Sequence, residues 1–286
     1  MKQHTLNMLA CGRYELDLSR PHIMAIINVT KDSFSGDGCL SLDQAQRAAE
    51  AAITEGADFL DIGGESSRPG ALPVSEQEEL DRVVPVVEML SGWGVPISVD
   101  TVKPAVMREV VVAGAALIND IAAFRNPGAL EAVRGSDVAL CIMHMKGEPS
   151  TMQVSPSYDD VVGEVKGFLD ERVRYLLEGG VAPNRIVLDP GFGFGKTLDH
   201  NLELLVRLTA FRVDSYPVLV GMSRKSMLGA ITGRPVNERV VAGAAAALVA
   251  MQNGARIIRT HDVAATRDVV RLWSQLRAAE SEIRSC

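Results

Sequence analysis

The sequence predicts an α/β protein of one domain, a (β/α)8 TIM barrel, and three observations predict it. Eight short, uniformly apolar runs recur along the chain, each followed by apolar residues at helical spacing. That is what strands buried on both faces of a parallel sheet, and the helices covering them, require. No composition break divides the 286 residues, a length one barrel accommodates. The glycine fingerprint that opens a doubly wound sheet is missing from Asn28–Gly38. Residues 1–21 read as an N-terminal segment, a short hairpin over one end, and residues 22–280 as the barrel.

The first strand is Ile23–Ile27, ending at Asn28; the polar loop Thr30–Gly38 follows. Leu42, Ala45, Ala49, Ala52 and Ile53 share a helix face that Gly56 terminates. Phe59-Leu60 runs into Asp61 and the glycine-rich loop Gly63–Gly70, and Ser75 with Glu78 forms a capping box for the next helix. Ile97–Val99 ends at Asp100, with a helix from Pro104; Ala116–Ile118 ends at Asn119 and Asp120, with a helix opening at Asn126-Pro127. Val138–Ile142 leads to Met143, His144 and Met145, then to a long amphipathic helix over Val162–Leu177 that Gly179-Gly180 stops. The sixth strand ends at Asp189, and Asn201–Leu208 makes its helix. Val218–Val220 leads into Gly221, Ser223, Arg224 and Lys225, followed by the alanine-rich helix Val240–Asn253. Arg256–Ile258 ends at Arg259 and His261, and Ala264–Leu276 is the last helix.

The stretch after the sixth strand, Pro190–Thr197, nearly fits two phosphate motifs and satisfies neither. A phosphate-cradling loop needs glycine where Pro190 stands, and the dinucleotide fingerprint needs glycine where Lys196 stands. It is a strand end, a carboxylate and an aromatic-bearing loop, with Lys196 read as a loop or helix-start lysine.

Hydrophobic residues make up 47% and charged residues 23%, with a net charge of −7. The acidic balance argues against a general nucleic-acid binder. No apolar run approaches the ~20 residues of a membrane span. Cys11, Cys39, Cys141 and Cys286 lack paired metal spacing and read as reduced thiols of a cytoplasmic protein, Cys39 and Cys286 near its surface.

A barrel of this kind carries its active site at the C-terminal ends of the strands, and here every strand end is polar. One end residue alone is explained by helix capping; all eight on one rim are not. Asp100, Asn119 and Asp189 offer acceptors on neighbouring strands to a flat heterocycle with a fork of N–H groups, since a carboxylate accepts two parallel bonds. Lys225 supplies a donor. Standing beyond its strand beside Ser223 and Arg224, it suits ligand binding better than the Schiff-base role of a lysine desolvated inside a strand. Arg68, Arg259 and His261, with Asn28, form a positive group on the first, second and eighth strands, adjacent once the barrel closes. Phosphate or diphosphate is its natural partner.

These residues resemble the signatures of the dihydropteroate synthase family. The resemblance rests on Asn28-Val29-Thr30 with Asp32-Ser33-Phe34-Ser35, Asp61–Gly70, Ser98–Thr101, Ile118–Asp120, Met143–Met145, Asp189–Lys196, Gly221–Ser226 and Arg259–Val263, and covers essentially the whole chain. It implies a transferase of folate biosynthesis that joins 4-aminobenzoate to (7,8-dihydropterin-6-yl)methyl diphosphate, with Mg2+ as cofactor, and it suggests a homodimer. By the same resemblance, Asp100, Asn119, Asp189 and Lys225 hold the pterin. Asn28 binds Mg2+ and, with Arg68, Arg259 and His261, the diphosphate. Ser67, Phe194, Lys225 and Ser226 line the aminobenzoate site. Loops Thr30–Gly38 and Gly63–Val74 would close over the reactants. Lys31, Asp37 and Ser67 depart from the usual family pattern, and none removes a group the chemistry needs.

Three rival readings stand beside this one. A pterin-binding methyltetrahydrofolate methyltransferase would share the acceptor pocket but needs no diphosphate clamp. A non-catalytic barrel homologue would lack rim groups. A phosphosugar aldolase would use Lys225 covalently.

Overall fold

The structure, a computed structural model, describes residues 8–29, 42–66, 72–212 and 216–285. It opens with an antiparallel hairpin of β1 (Met8–Cys11) and β2 (Tyr14–Asp17). Then strands and helices alternate: β3 (His22–Asn28), α1 (Leu42–Thr54), β4 (Phe59–Gly63), α2 (Glu76–Leu90), β5 (Ile97–Asp100), α3 (Pro104–Ala113), β6 (Leu117–Asp120), α4 (Ala129–Val133), β7 (Ala139–Met143) and α5 (Val161–Glu178). The series ends with β8 (Ile186–Asp189), α6 (Leu198–Val206), β9 (Leu219–Val220), α7 (Ser226–Thr232), α8 (Val240–Gln252), β10 (Ile257–Thr260) and α9 (Val263–Ser285). All pairs from β3 to β10 are parallel, in the order β8-β7-β6-β5-β4-β3-β10-β9. A parallel bridge between Leu188 and Val218 joins β8 to β9 and closes the circle. The barrel is therefore as predicted. Two additions matter: α4 is only five residues long, and a short helix, α7, precedes the alanine-rich α8.

Side-chain alternation sorts each strand into two cores. Outward residues such as Ile23, Leu60, Ile62, Val99, Ile118 and Leu188 pack under the helices. Inward residues fill the barrel in layers. Its lower layer is apolar: Met24, Phe59, Leu117, Val187, Leu219 and Ile257 pack together with Leu9, Cys11 and Leu18 of the hairpin segment. The hairpin is fixed there by Gly12 N–H donating to the Asp137 carbonyl (2.9 Å) and Cys11 Sγ–H donating to the Ala116 carbonyl (3.2 Å). It stoppers the N-terminal end. One or two steps up, the inward residues of β4, β5, β6, β8 and β10 become polar, giving Asp61, Ser98, Asp100, Asn119, Asp189 and Arg259, while those of β7 stay apolar with Cys141 and Met143. Among the described residues no helix is long and apolar enough to cross a membrane.

The turn after β6 is unusual. Ala123 and Phe124 are successive non-glycine residues with φ of 53° and 56°, a conformation that costs an L-residue about 1–2 kcal/mol each. Asp120 compensates by accepting from the N–H groups of Ala122 and Phe124, both at 2.7 Å. Arg172 of α5 donates to the carbonyls of Ala123 (2.9 Å) and Phe124 (3.0 Å).

Candidate active site

The centre of the mouth is an ion cluster. Arg259, on β10, donates from Nε to Asp61 Oδ2 (2.6 Å) and from Nη2 to Asp100 Oδ2 (2.9 Å). Ser98 Oγ–H donates to the other Asp61 oxygen at 2.5 Å. Burial pulls the guanidinium pKa down, but the two carboxylates outweigh it and hold Arg259 above its ordinary value. Burial pushes the Asp100 carboxyl up to about 7 against the pull of Arg259. Arg259, expected in a positive group, is paired here with two carboxylates and ties β10 to β4 and β5 across the barrel.

Around this cluster stand the predicted acceptors. Asp100 and Asn119 are Cα partners on neighbouring strands, whereas Asp189 lies one strand further, beyond β7. Asn119 is buried and, among the described residues, its Oδ1 has no hydrogen-bond partner. Leaving a buried acceptor unpaired costs about 1–3 kcal/mol, so this oxygen marks a place where a donor belongs. Asp189 accepts from Gly191 N–H at 2.7 Å, and burial raises its pKa against the influence of Lys225. Lys225, the N-cap residue of α7, donates to the Phe192 carbonyl at 2.5 Å and lies 4.7 Å from the Phe194 ring centroid. Burial lowers its pKa to about 8.

Phe194 is half-buried and packs with Ile121 against Met143, Met145 and Met152. This forms one apolar wall beside the polar base. Ser226, the first residue of α7, is exposed at the rim. Asn28 ends β3 beside Gly63; a Cβ at Gly63 would stand 3.7 Å from Asn28 Oδ1, in ordinary contact with the amide. His261 donates its backbone N–H to Ser223 Oγ (3.1 Å), and its Nδ1 lies 3.1 Å from the same oxygen. Ser67, Arg68, the segment Thr30–Gly38 and Cys39 and Cys286 lie outside the described residues. The stem of the loop that bears Ser67 and Arg68 is described: Lys103 Nζ donates to Glu65 (2.5 Å) and to the buried Glu79 of α2.

Lys196 requires a correction. Read as a loop lysine, it is 3% exposed. Its Nζ lies 3.0 Å from His144 Nδ1 and donates to the carbonyls of Gly191 (2.8 Å), Phe194 (3.0 Å) and His144 (3.4 Å). Burial lowers its pKa to about 7; burial, then the charge of Lys196, lowers His144 to about 3. Sequence reading also passed over Asp61 as the partner of Arg259 and Met143 as part of the wall. The only prior signal for either was its place at a strand end.

With this geometry in hand, the relatives are informative. The pterin binding enzyme family matches residues 24–261. A dihydropteroate synthase of Haemophilus influenzae is 51% identical over 263 residues, covering 90% of this chain and 94% of the relative. The crystal structure of Burkholderia cenocepacia dihydropteroate synthase complexed with 7,8-dihydropteroate superposes with a TM-score of 0.89 at 54% identity, covering 96% of this chain and 98% of that one. The Xanthomonas albilineans enzyme with 4-aminobenzoic acid gives 0.90 at 46% identity, covering 95% and 98%.

Proposed function

The chain belongs to the dihydropteroate synthase family of pterin-binding enzymes, and from that premise we propose how its residues divide the work. It is a transferase that condenses 4-aminobenzoate with (7,8-dihydropterin-6-yl)methyl diphosphate to 7,8-dihydropteroate and diphosphate. The observation that carries the assignment of roles is the set of buried acceptors at the mouth, above all the unpartnered Oδ1 of Asn119. Asp100, Asn119 and Asp189 receive the N–H groups of the pterin, and Lys225 donates to its acceptor edge. Phe194, Lys225, Ser226 and Ser67 border the aryl amine.

The reaction breaks the bond between the pterin methylene carbon and the diphosphate oxygen. The electron pair leaves with the diphosphate, the amine nitrogen bonds to the methylene, and the ammonium so formed loses its proton to water. Negative charge grows on the departing oxygens, so cations placed there act where transition state and ground state differ. Arg259, His261, Arg68 and Asn28 are assigned to that side. The amine is a neutral nucleophile, and positioning counts for more than a strong base.

Mg2+ fits this arrangement as an ion carried by the diphosphate. It would keep waters and phosphate oxygens and need few protein ligands, and Asn28, at the mouth end of β3, would offer one amide oxygen. When bound, the ion neutralises charge on the leaving group. We also propose a cytoplasmic homodimer, supported by the exposed apolar residues of the last helices, Val241 and Val249 on α8 and Leu272 and Leu276 on α9.

The test is a mixing experiment. Diphosphate release is expected only when the pterin diphosphate and 4-aminobenzoate are both present with Mg2+. Release from one substrate alone, or none at all, would overturn the reading.

A further inference from the structure

The loop between β8 and α6 is held by side chains along its whole length. The Gly191 and Phe194 carbonyls accept from Lys196, that of Phe192 from Lys225, that of Gly193 from Gln153, that of Gly195 from Tyr158 (2.8 Å) and that of Lys196 from Asn201 (3.4 Å). Two close approaches need glycine: at Gly191 (φ 70°) and Gly195 (φ 65°) a Cβ would overlap the carbonyl oxygens of His144 and Lys146. The loop therefore lies directly on the segment that follows β7.

Gln153 and Tyr158 reach the loop from the segment after β7, and Lys196, itself buried, reaches back from the loop to that segment. Its ammonium gathers two carbonyls of its own loop together with His144 Nδ1 and the His144 carbonyl. The Phe194 carbonyl sits on this ammonium while the Phe194 ring faces Lys225. Backbone and ring of the apolar wall are thus fixed by two different lysines.

We propose that Lys196 is a positioning residue for the aryl-amine half of the site, setting Phe194 against Met143 and Met145 without touching substrate. The inference rests on the assignment of Phe194 to the 4-aminobenzoate wall. Of the pterin acceptors, Asp100 and Asn119 stand on strands that Lys196 does not contact, whereas Asp189 feels the charge of Lys196 after that of Lys225 and the Gly191 N–H bond, so the pterin KM is expected to move less than that for 4-aminobenzoate rather than not at all.

The test compares Lys196→Met, similar in length but unable to donate, with the wild type by diphosphate release. The KM for 4-aminobenzoate is expected to rise by roughly 10-fold or more, since small misplacements of a wall carry such costs. The KM for the pterin diphosphate and kcat at saturation should stay within about 3-fold. A parallel rise in both KM values, a loss confined to kcat, or no change would overturn the proposal. Lys196→Gln, which keeps a shorter donor, should fall between wild type and Lys196→Met. If neither variant folds by circular dichroism, Lys196 is a core strut and the proposal is overturned. Absence of two-substrate diphosphate release in the wild type would instead refute the underlying assignment.

Discussion

Arg259 serves two carboxylates at once, and that changes what its removal reports. Read from the sequence alone, Arg259→Ala weakens the diphosphate substrate far more than the free pterin alcohol. In the structure Asp61 and Asp100 both depend on it, and breaking such a buried pair costs about 3–5 kcal/mol. Arg259→Ala is therefore expected to lower the melting temperature and to harm binding of the free pterin alcohol as well. Arg259→Lys keeps a charge but loses the fork. It should weaken the pterin diphosphate more than the alcohol in calorimetry, and equal losses would contradict a diphosphate role. Lys225 gives a pH prediction. With its pKa lowered to about 8, it is an ammonium donor below that pH and neutral above it. Pterin affinity should fall as pH rises through about 8, and Lys225→Met should flatten that fall. Asp189→Ala should abolish pterin binding by leaving ring donors without an acceptor, as titration calorimetry would register. No local signal in the sequence pairs Arg259 with Asp61, since the contact crosses the barrel between distant strands. The same holds for Lys196, whose partners become visible only once the two loops are stacked.

At the scale of single elements, short pieces escaped the sequence reading. Helix α7 spans seven residues, too few for helical periodicity to register; α4 was read from Asn126-Pro127, but its length of five residues was not. The strands were legible because each carries a short run of mostly apolar residues. The long α5 was legible from its continuous apolar face. The turn after β6 is the most demanding element, because Ala123 and Phe124 adopt left-handed conformations without being glycines. Arg172→Ala removes both donors to their carbonyls and is expected to cost about 2–3 kcal/mol in denaturant unfolding. Ala123→Gly should cost nothing measurable, where Ala→Gly within a regular element costs about 0.5–1 kcal/mol. A clear loss there would show that the left-handed turn is not strained.

For the molecule as a whole, the barrel could be read because one rule recurs along the chain: a short apolar strand, a polar residue at or just past its end, and a helix outside. The pterin acceptors followed from that rule, since Asp100, Asn119 and Asp189 are the uppermost inward residues of their strands. How the charges pair within the mouth did not follow, because pairing depends on barrel closure and stagger. Light scattering is expected to give the mass of a dimer, and a mass near 30.7 kDa would refute it. The hairpin beneath the barrel has a consequence for traffic. With Leu9, Cys11 and Leu18 sealing the lower end, reactants and products share one doorway and have to queue. Asp100, Asn119 and Asp189, proposed to hold the pterin, lie deeper than the exposed Ser226, so the pterin is expected to enter first and the amine to follow. 4-Aminobenzoate titrated alone should therefore give little heat, and a clear signal once a pterin diphosphate analogue is already seated.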